Sequence, residues 1–319
     1  MSAKIKLGIT MGCPAGVGPE LCLKAFLHDH PEDLELFILG DAKLLENLAK
    51  RLGLAPIPEK NIIALSELNA YKPGSPTLET ARAMVRYIRE GVRLCLSGEL
   101  HGLVTCPISK AALKMAGEPY PGHTEMLAEL TQTKEYAMAF YGERLKIVLV
   151  TIHEALRQVP ELLSADKILL ATRLAHRFLK EDLNVLQPRL ALAALNPHAG
   201  EGGLFGDEEE KILTPAICQA AKEGISISGP YPADSLFYRA VKGEFDLVVS
   251  LYHDQGLIPF KLLHFDDGVN LTLGLPIVRT SVDHGTAYDI AGKGLASEKS
   301  LLAAIKLAYL MAKNRLKGL

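Results

Sequence analysis

The sequence predicts an α/β protein with a mostly parallel sheet, and three observations carry that expectation. Short apolar runs alternate with amphipathic stretches from end to end, the βαβα order that lays helices over a parallel sheet. Three of the runs, LKIVLVTI, PRLALAALN and FDLVVSLY, are almost continuously apolar, as strands covered on both faces must be. The length, 319 residues, suits two domains or one large α/β unit.

Taken in order, KLGITM reads as the first strand, and PELCLKAFLHD as a helix with Pro19 in its first turn, where a missing N–H leaves no bond unmade. LELFILG, NIIAL and HGLVTC are further strands. AKLLENLAKRLG and the long TLETARAMVRYIREGVRLCLSG are the helices between them. SADKILLATRLAHRFLKE and EEEKILTPAICQAAKEG separate the three apolar strands, and SLLAAIKLAYLMAKNR closes the chain. There is no internal repeat and no low-complexity linker.

Hydrophobic residues make up 48% and charged residues 23%, enough apolar material for a sizeable core. A net charge of −2 argues against nucleic acid or an anionic membrane as a partner. No apolar run reaches the roughly 18 residues of a membrane-spanning helix, and MSAKIKLGITM enters a strand pattern without a signal-peptide core. The five cysteines are scattered and include no CxxC pair, so neither a disulfide framework nor a zinc–thiolate site is expected. A cytoplasmic globular protein is the expectation.

Three histidines share one kind of position. His153 follows LKIVLVTI, His198 follows PRLALAALN and His253 follows FDLVVSLY. Ligands of open α/β sheets bind beyond the carboxyl ends of the strands. A single histidine there more often just caps a loop, but three together favour one divalent metal. Neutral imidazole suits zinc or cobalt better than calcium, and three protein ligands leave positions open for a substrate.

The surrounding loops carry further signals. NPHAGEGGLFGDEE is rich in glycine, which permits close backbone approach to a ligand. Asp254 and Gln255 stand beside His253 as candidates to orient its imidazole, with Asp254 equally readable as a helix cap. His123 and Thr124 precede the helical run MLAELT, where Thr124 reads as an N-cap or the pair as an anion site. Lys261, Asn270 and Arg279 follow, two cations and an amide that suit a small substrate bearing phosphate and carboxylate, although each alone reads as surface charge. MGCPAGVGPE is neither a GxGxxG fingerprint nor a Walker loop, so a conventional Rossmann dinucleotide site is not supported.

MGCPAGVGPE, TCPISKAALKMAG, YPGHTEMLAELT, VTIHEALRQVP, LNPHAGEGGLFGDEE, PADSLFY, YHDQGLIPFK and GVNLTLGLPIVRTSVDHGTAYDIAGKG resemble, in order, the motifs of the 4-hydroxythreonine-4-phosphate dehydrogenase family. HGTAYDIAGKG is also similar to the nucleotide-binding stretch of isopropylmalate and isocitrate dehydrogenases. The resemblance implies two three-layer α/β/α domains with a cleft between them, isopropylmalate dehydrogenase-like. The first would span 1–124 and be completed by 266–319; the second would span 125–265. It implies metal ligands at His153, His198 and His253, with His253 arriving from a partner subunit. It implies substrate contacts at His123, Thr124, Lys261, Asn270 and Arg279, and cofactor contacts at His284, Gly285, Thr286 and Ala287. A homodimer with a shared active site is implied too. Two positions depart from the family pattern: Cys13, where an acidic residue is usual, and Asp266–Asp267, where a Gly-Arg type pair is common.

The implied chemistry is oxidation and decarboxylation of 4-phosphohydroxy-L-threonine to 3-amino-2-oxopropyl phosphate in pyridoxal phosphate biosynthesis. NAD would be the oxidant, with NADP less favoured because Lys293 is the sole cation near the cofactor loop in sequence. Zinc, cobalt, magnesium or manganese would assist. No general base is singled out. The nearest rival is a dehydrogenase of 4-phospho-threonate or 4-phospho-erythronate. A phosphate acyltransferase, which would not need three strand-end histidines, is more remote, and so is a two-domain binding protein, against which the missing export signal and a metal with open positions both count.

Overall fold

The computed structural model describes residues 4–68 and 71–318, so the first three residues of the N-terminal pattern lie outside it. The chain divides into two compact units, 1–134 with 275–313, and 135–274 with 314–319.

In the first unit the order is β1 (Ile5–Thr10), α1 (Gly18–Phe26), β2 (Leu34–Gly40), α2 (Ala42–Leu52), β3 (Ile62–Ala64), α3 (Leu78–Leu96), β4 (Gly102–Thr105), α4 (Lys110–Met115) and α5 (His123–Leu130). In the second, β5 (Ala137–Tyr141), β6 (Lys146–Leu149), α6 (Val159–Leu162), α7 (Ala165–Arg177), β7 (Leu190–Ala193), α8 (Thr214–Lys222), β8 (Ile227–Tyr231), α9 (Ala233–Val241), β9 (Leu247–Ser250), α10 (His253–His264) and β10 (Val269–Leu273) follow. The chain returns to the first unit with β11 (Arg279–Val282) and ends in α11 (Lys299–Lys317).

The strands of the first unit run β3-β2-β1-β4-β11, all parallel. Helix α3 packs on β1, β2 and β4 through Ala81, Met84, Val85, Ile88 and Val92, all at the 3.6-residue period of its apolar stripe. Capping is local: Thr77 accepts from Thr80 N at the head of α3, and Asp41 accepts from Leu44 N at the head of α2. The second unit runs β10-β5-β6-β9-β7-β8, parallel from β6 onward and antiparallel over β10, β5 and β6. Its core joins Ile147, Leu149, Val248, Leu257 and Phe260.

The boundaries differ from those expected at 124/125 and 265/266, for a packing reason. Helix α5 buries Met126 and Leu127 in the core of the first unit, while β10 is the antiparallel partner of β5. Each element therefore stays with the unit whose surface it covers. Helix α10 is the main element that the sequence pattern hides. YHDQGLIPFKLLHF contains Gly256 and Pro259, both helix breakers on their own. Gly256 is required by packing: a Cβ there would stand 2.8 Å from Ile147 Cδ1 and 2.9 Å from Ser250 Oγ.

Candidate active site

The second unit explains how distant histidines converge. Strands β6, β9 and β7 are neighbours, with Leu149 opposite Ser250 and Leu192 opposite Val249. His153, His253 and His198 therefore leave the same end of adjacent parallel strands. His153 lies four residues past Leu149 and His253 three past Ser250, nearly level in register, and their ring centroids are 5.9 Å apart. Beside them is a cavity of about 280 Å³ lined by Ile152, His153, Glu154, Leu156, Val159, Tyr252, His253 and Asp254.

His253 is the first residue of α10, and Tyr252 is the cap, so Asp254 is not the helix cap that it resembles in sequence. Asp254 instead holds the imidazole: its Oδ1 is 2.7 Å from His253 Nδ1. A carboxylate only accepts, so Nδ1 carries the proton and Nε2 is left to ligate. Gln255 does something different. Its Oε1 accepts from Leu251 N at 2.7 Å and its Nε2 donates to Ala194 O at 2.7 Å, tying the ends of β9 and β7 together. Replacing Asp254 by Asn is expected to weaken divalent-metal affinity about 10–100-fold, the usual cost of losing an orienting partner. Isothermal titration with Co²⁺ or Zn²⁺ checks this; unchanged affinity would separate Asp254 from the metal.

His198 sits in a strained turn. His198, Ala199 and Glu201 have φ of 52°, 54° and 42°, in the left-handed region that non-glycine residues avoid. Three such residues within four positions persist only where the surroundings over-determine them, and such strain gathers at ligand sites. The buried Glu209 supplies the constraint: its Oε1 accepts from Leu195 N and Asn196 N, both at 2.8 Å, and its Oε2 from Asn196 Nδ2 at 2.9 Å. The His198 ring lies 6.0 Å from that of Phe205. Among the described residues of one chain, no three His, Cys, Asp or Glu side chains stand as a metal-holding group. Within one chain the rings of His153 and His253 stand beside each other, so His253 is not set apart from His153 as a contribution from the partner alone would have it.

The other candidates fall in both units. In the first, Arg279 is 2% exposed and donates to Thr105 Oγ1 at 2.8 Å. Burial lowers its pKa to about 9, with Glu125 acting the other way, so the guanidinium stays charged at neutral pH. His123 opens α5, whose cap is Gly122; Thr124 is a buried first-turn residue and not the cap. His123 Nε2 is buried without a hydrogen-bond partner. Burial, and secondarily the Arg279 charge, push the His123 imidazole well below its ordinary range, so it is neutral at pH 7. A buried cation beside a neutral imidazole suits an anionic group that still carries water-like hydrogen-bond demands. In the second unit, Lys261 lies on α10 with its ammonium 5.9 Å from the Phe265 ring, and Asn270 lies on β10 opposite Phe140. Asp267, at one of the unusual positions, has Oδ1 at 3.0 Å from Nδ1 of the buried His264.

His284 to Ala287 form an exposed-to-half-buried loop in the first unit, with Ala287 at φ 41°. Arg51 stands against Gly292 of the same segment, its Nη2 filling the space that a Cβ would need. Arg51 is a second cation near this segment, besides Lys293, that sequence spacing conceals. No helix among the described residues is long and apolar enough to cross a membrane.

The His153–His253 pair stands beyond the carboxyl ends of parallel strands, where open α/β sheets bind their ligands. Comparison with known proteins makes the assignment particular. The family model for pyridoxal phosphate biosynthetic protein PdxA matches residues 32–308. A 4-hydroxythreonine-4-phosphate dehydrogenase from Desulfosudis oleivorans is 50% identical over 97% of this chain and 96% of that protein. A D-threonate 4-phosphate dehydrogenase from Salmonella typhimurium is 42% identical over 96% of this chain and 98% of that protein. The crystal structure of 4-hydroxythreonine-4-phosphate dehydrogenase from Klebsiella pneumoniae superposes with a TM-score of 0.87 at 39% identity, covering 97% of this chain and all (100%) of that one. An isocitrate dehydrogenase from Methylococcus capsulatus, at 14% identity and TM-score 0.50 over 98% of this chain and 86% of that one, shares the fold alone. The chain belongs to the PdxA family.

Proposed function

We propose that this chain oxidises 4-phosphohydroxy-L-threonine, with a nicotinamide dinucleotide as acceptor and a divalent metal at His153, His198 and His253. The observation that carries the reading is the His153–His253 pair, 5.9 Å between centroids, with Asp254 fixing the His253 tautomer. That donor set fits a divalent transition metal: two imidazoles beyond the ends of neighbouring strands β6 and β9, one already oriented, beside a cavity open to a small ligand. When bound, the ion supplies Lewis-acid stabilisation of negative charge on the substrate oxygen, and the dinucleotide takes the hydride.

The chain's own residues bind and orient. Arg279 offers a buried, fixed guanidinium to a phosphate or carboxylate, held in place by Thr105. The neutral His123 and Thr124, at the first turn of α5, add hydrogen-bonding groups beside it. Lys261 and Asn270 supply a second cation and an amide. Replacing Arg279 or Lys261 by Met is expected to raise the substrate KM by about tenfold or more, since a charge-assisted hydrogen bond contributes roughly 1.5–3 kcal/mol. Unchanged KM and kcat in both variants would place these residues outside the pocket. Steady-state kinetics make the check.

The second copy of the chain completes the site. Helix α10 leaves Ile258, Leu262 and Phe265 67%, 84% and 77% exposed, an apolar stripe at i, i+4, i+7 on the face opposite Leu257 and Phe260. A partner seated on that stripe lies next to the helix that begins with His253. The exposed stripe supports a homodimer with a metal site built from both chains.

The test of the substrate is NADH formation by metal-loaded protein given 4-phosphohydroxy-L-threonine or D-threonate 4-phosphate, each with NAD and with NADP. A higher kcat/KM for the amino-acid substrate supports this reading. The reverse order would make the chain a D-threonate 4-phosphate dehydrogenase with the same metal and cofactor machinery.

A further inference from the structure

The MGCPAGVGPE segment and α1 have no part in the chemistry above, yet they carry a buried carboxylate. Glu20, 0% exposed, accepts from Gly294 N at 3.1 Å and from Ala296 N at 2.8 Å. Lys24, one helical turn on, pairs with Glu20 at 3.0 Å and donates to Gly294 O at 2.9 Å and Ala296 O at 2.6 Å. Two adjacent side chains of one helix thus take up both N–H groups and both carbonyls of residues 294 and 296. At the other end of the same loop, Val17 N donates to Thr286 O at 3.0 Å and Tyr288 Oη donates to Cys13 Sγ at 3.3 Å. Gly16 permits this contact: a Cβ there would lie 2.9 Å from Thr286 O.

We infer that Glu20 and Lys24 are positioning residues for cofactor binding: they and the Gly-rich turn grip the 284–296 segment at both ends and hold it in the conformation that receives the dinucleotide. The inference rests on the assignment of His284–Ala287 to the cofactor and adds what fixes that loop. The segment has little regular structure of its own, and Ala287 is in the left-handed region. Its shape therefore depends on contacts from outside it. A loop ordered before binding does not lose that freedom on binding, so the grip acts on cofactor affinity and not on the chemical step. It also gives Cys13 a use. In this chain the thiol accepts the Tyr288 hydroxyl, and burial keeps both groups protonated at neutral pH, pushing Tyr288 up to about 12.

The test uses full-length Lys24→Met and Glu20→Gln variants. Lys24 is partly exposed, so its variant keeps the measurement interpretable if the Glu20 variant does not fold. Hydrogen–deuterium exchange is followed across residues 284–296 together with KM for the dinucleotide, KM for the phosphorylated substrate and kcat. The expected result is faster exchange confined to 284–296, with KM for the dinucleotide raised about tenfold and the other two constants within about twofold. Unchanged exchange in a folded Lys24→Met protein would overturn the grip. Faster exchange with unchanged dinucleotide KM would overturn the positioning role. The exchange readout needs no turnover, so a wild-type protein inactive on every substrate offered would be recognised separately as a failure of the proposed function.

Discussion

Replacing His198 by Ala is expected to abolish bound divalent metal and to lower kcat/KM by about three orders of magnitude or more, with the fold intact. Lewis-acid stabilisation at a reacting oxygen is worth several kcal/mol, and each 1.36 kcal/mol is about a factor of ten in rate. The fold is expected to survive because His198 is exposed and the turn that carries it is held by Glu209, whose partners are the backbone of Leu195 and Asn196 and the Asn196 amide. Metal content by plasma emission spectroscopy and a far-UV circular dichroism spectrum separate the two consequences. A folded variant with full metal occupancy would refute the ligand assignment.

The second large effect is expected on the exposed face of α10. Leu262 is 84% exposed on α10 and makes up the centre of its apolar stripe. Replacing Leu262 by Glu puts a charge into a face that a second copy would cover, and an unpaired buried charge costs several kcal/mol. Dimers are expected to dissociate at micromolar concentration, and turnover and tight metal binding are expected to fall together. A surface leucine exchanged for a charge in a monomer would instead be nearly neutral. Analytical ultracentrifugation alongside activity decides between them: a variant that stays dimeric, or a monomeric variant with full activity, would remove the shared-site account.

Much of the frame was legible in the sequence because its physical signal is local. The apolar runs at 146–149, 190–193 and 247–250 are strands, and the amphipathic stretches at 42–52 and 78–96 are helices. The strand-end position of His153, His198 and His253 was legible for the same reason. The order β6-β9-β7 was not, because strand neighbours are chosen by long-range packing and leave no periodic mark. Helix α10 was hidden by Gly256 and Pro259. The glycine there answers a tertiary demand, contact with Ile147 and Ser250, which overrides its helix propensity. Strands β5 and β10, AMAFY and VNLTL, pair antiparallel with each other, a long-range choice that the sequence does not display. The Glu209 brace and the Glu20–Lys24 grip bind backbone groups, whose positions the sequence does not display; the second spans more than 270 residues of chain.

The claim at the centre of the account is a metal held by three imidazoles from two copies of the chain. It is tested most directly by a crystal of the cobalt-loaded protein, with anomalous scattering recorded at the cobalt edge. The predicted result is one peak per site, about 2.0–2.3 Å from nitrogens of His153, His198 and His253, with both chains of a dimer contributing. A peak held by one chain alone, or by a different set of side chains, would contradict it.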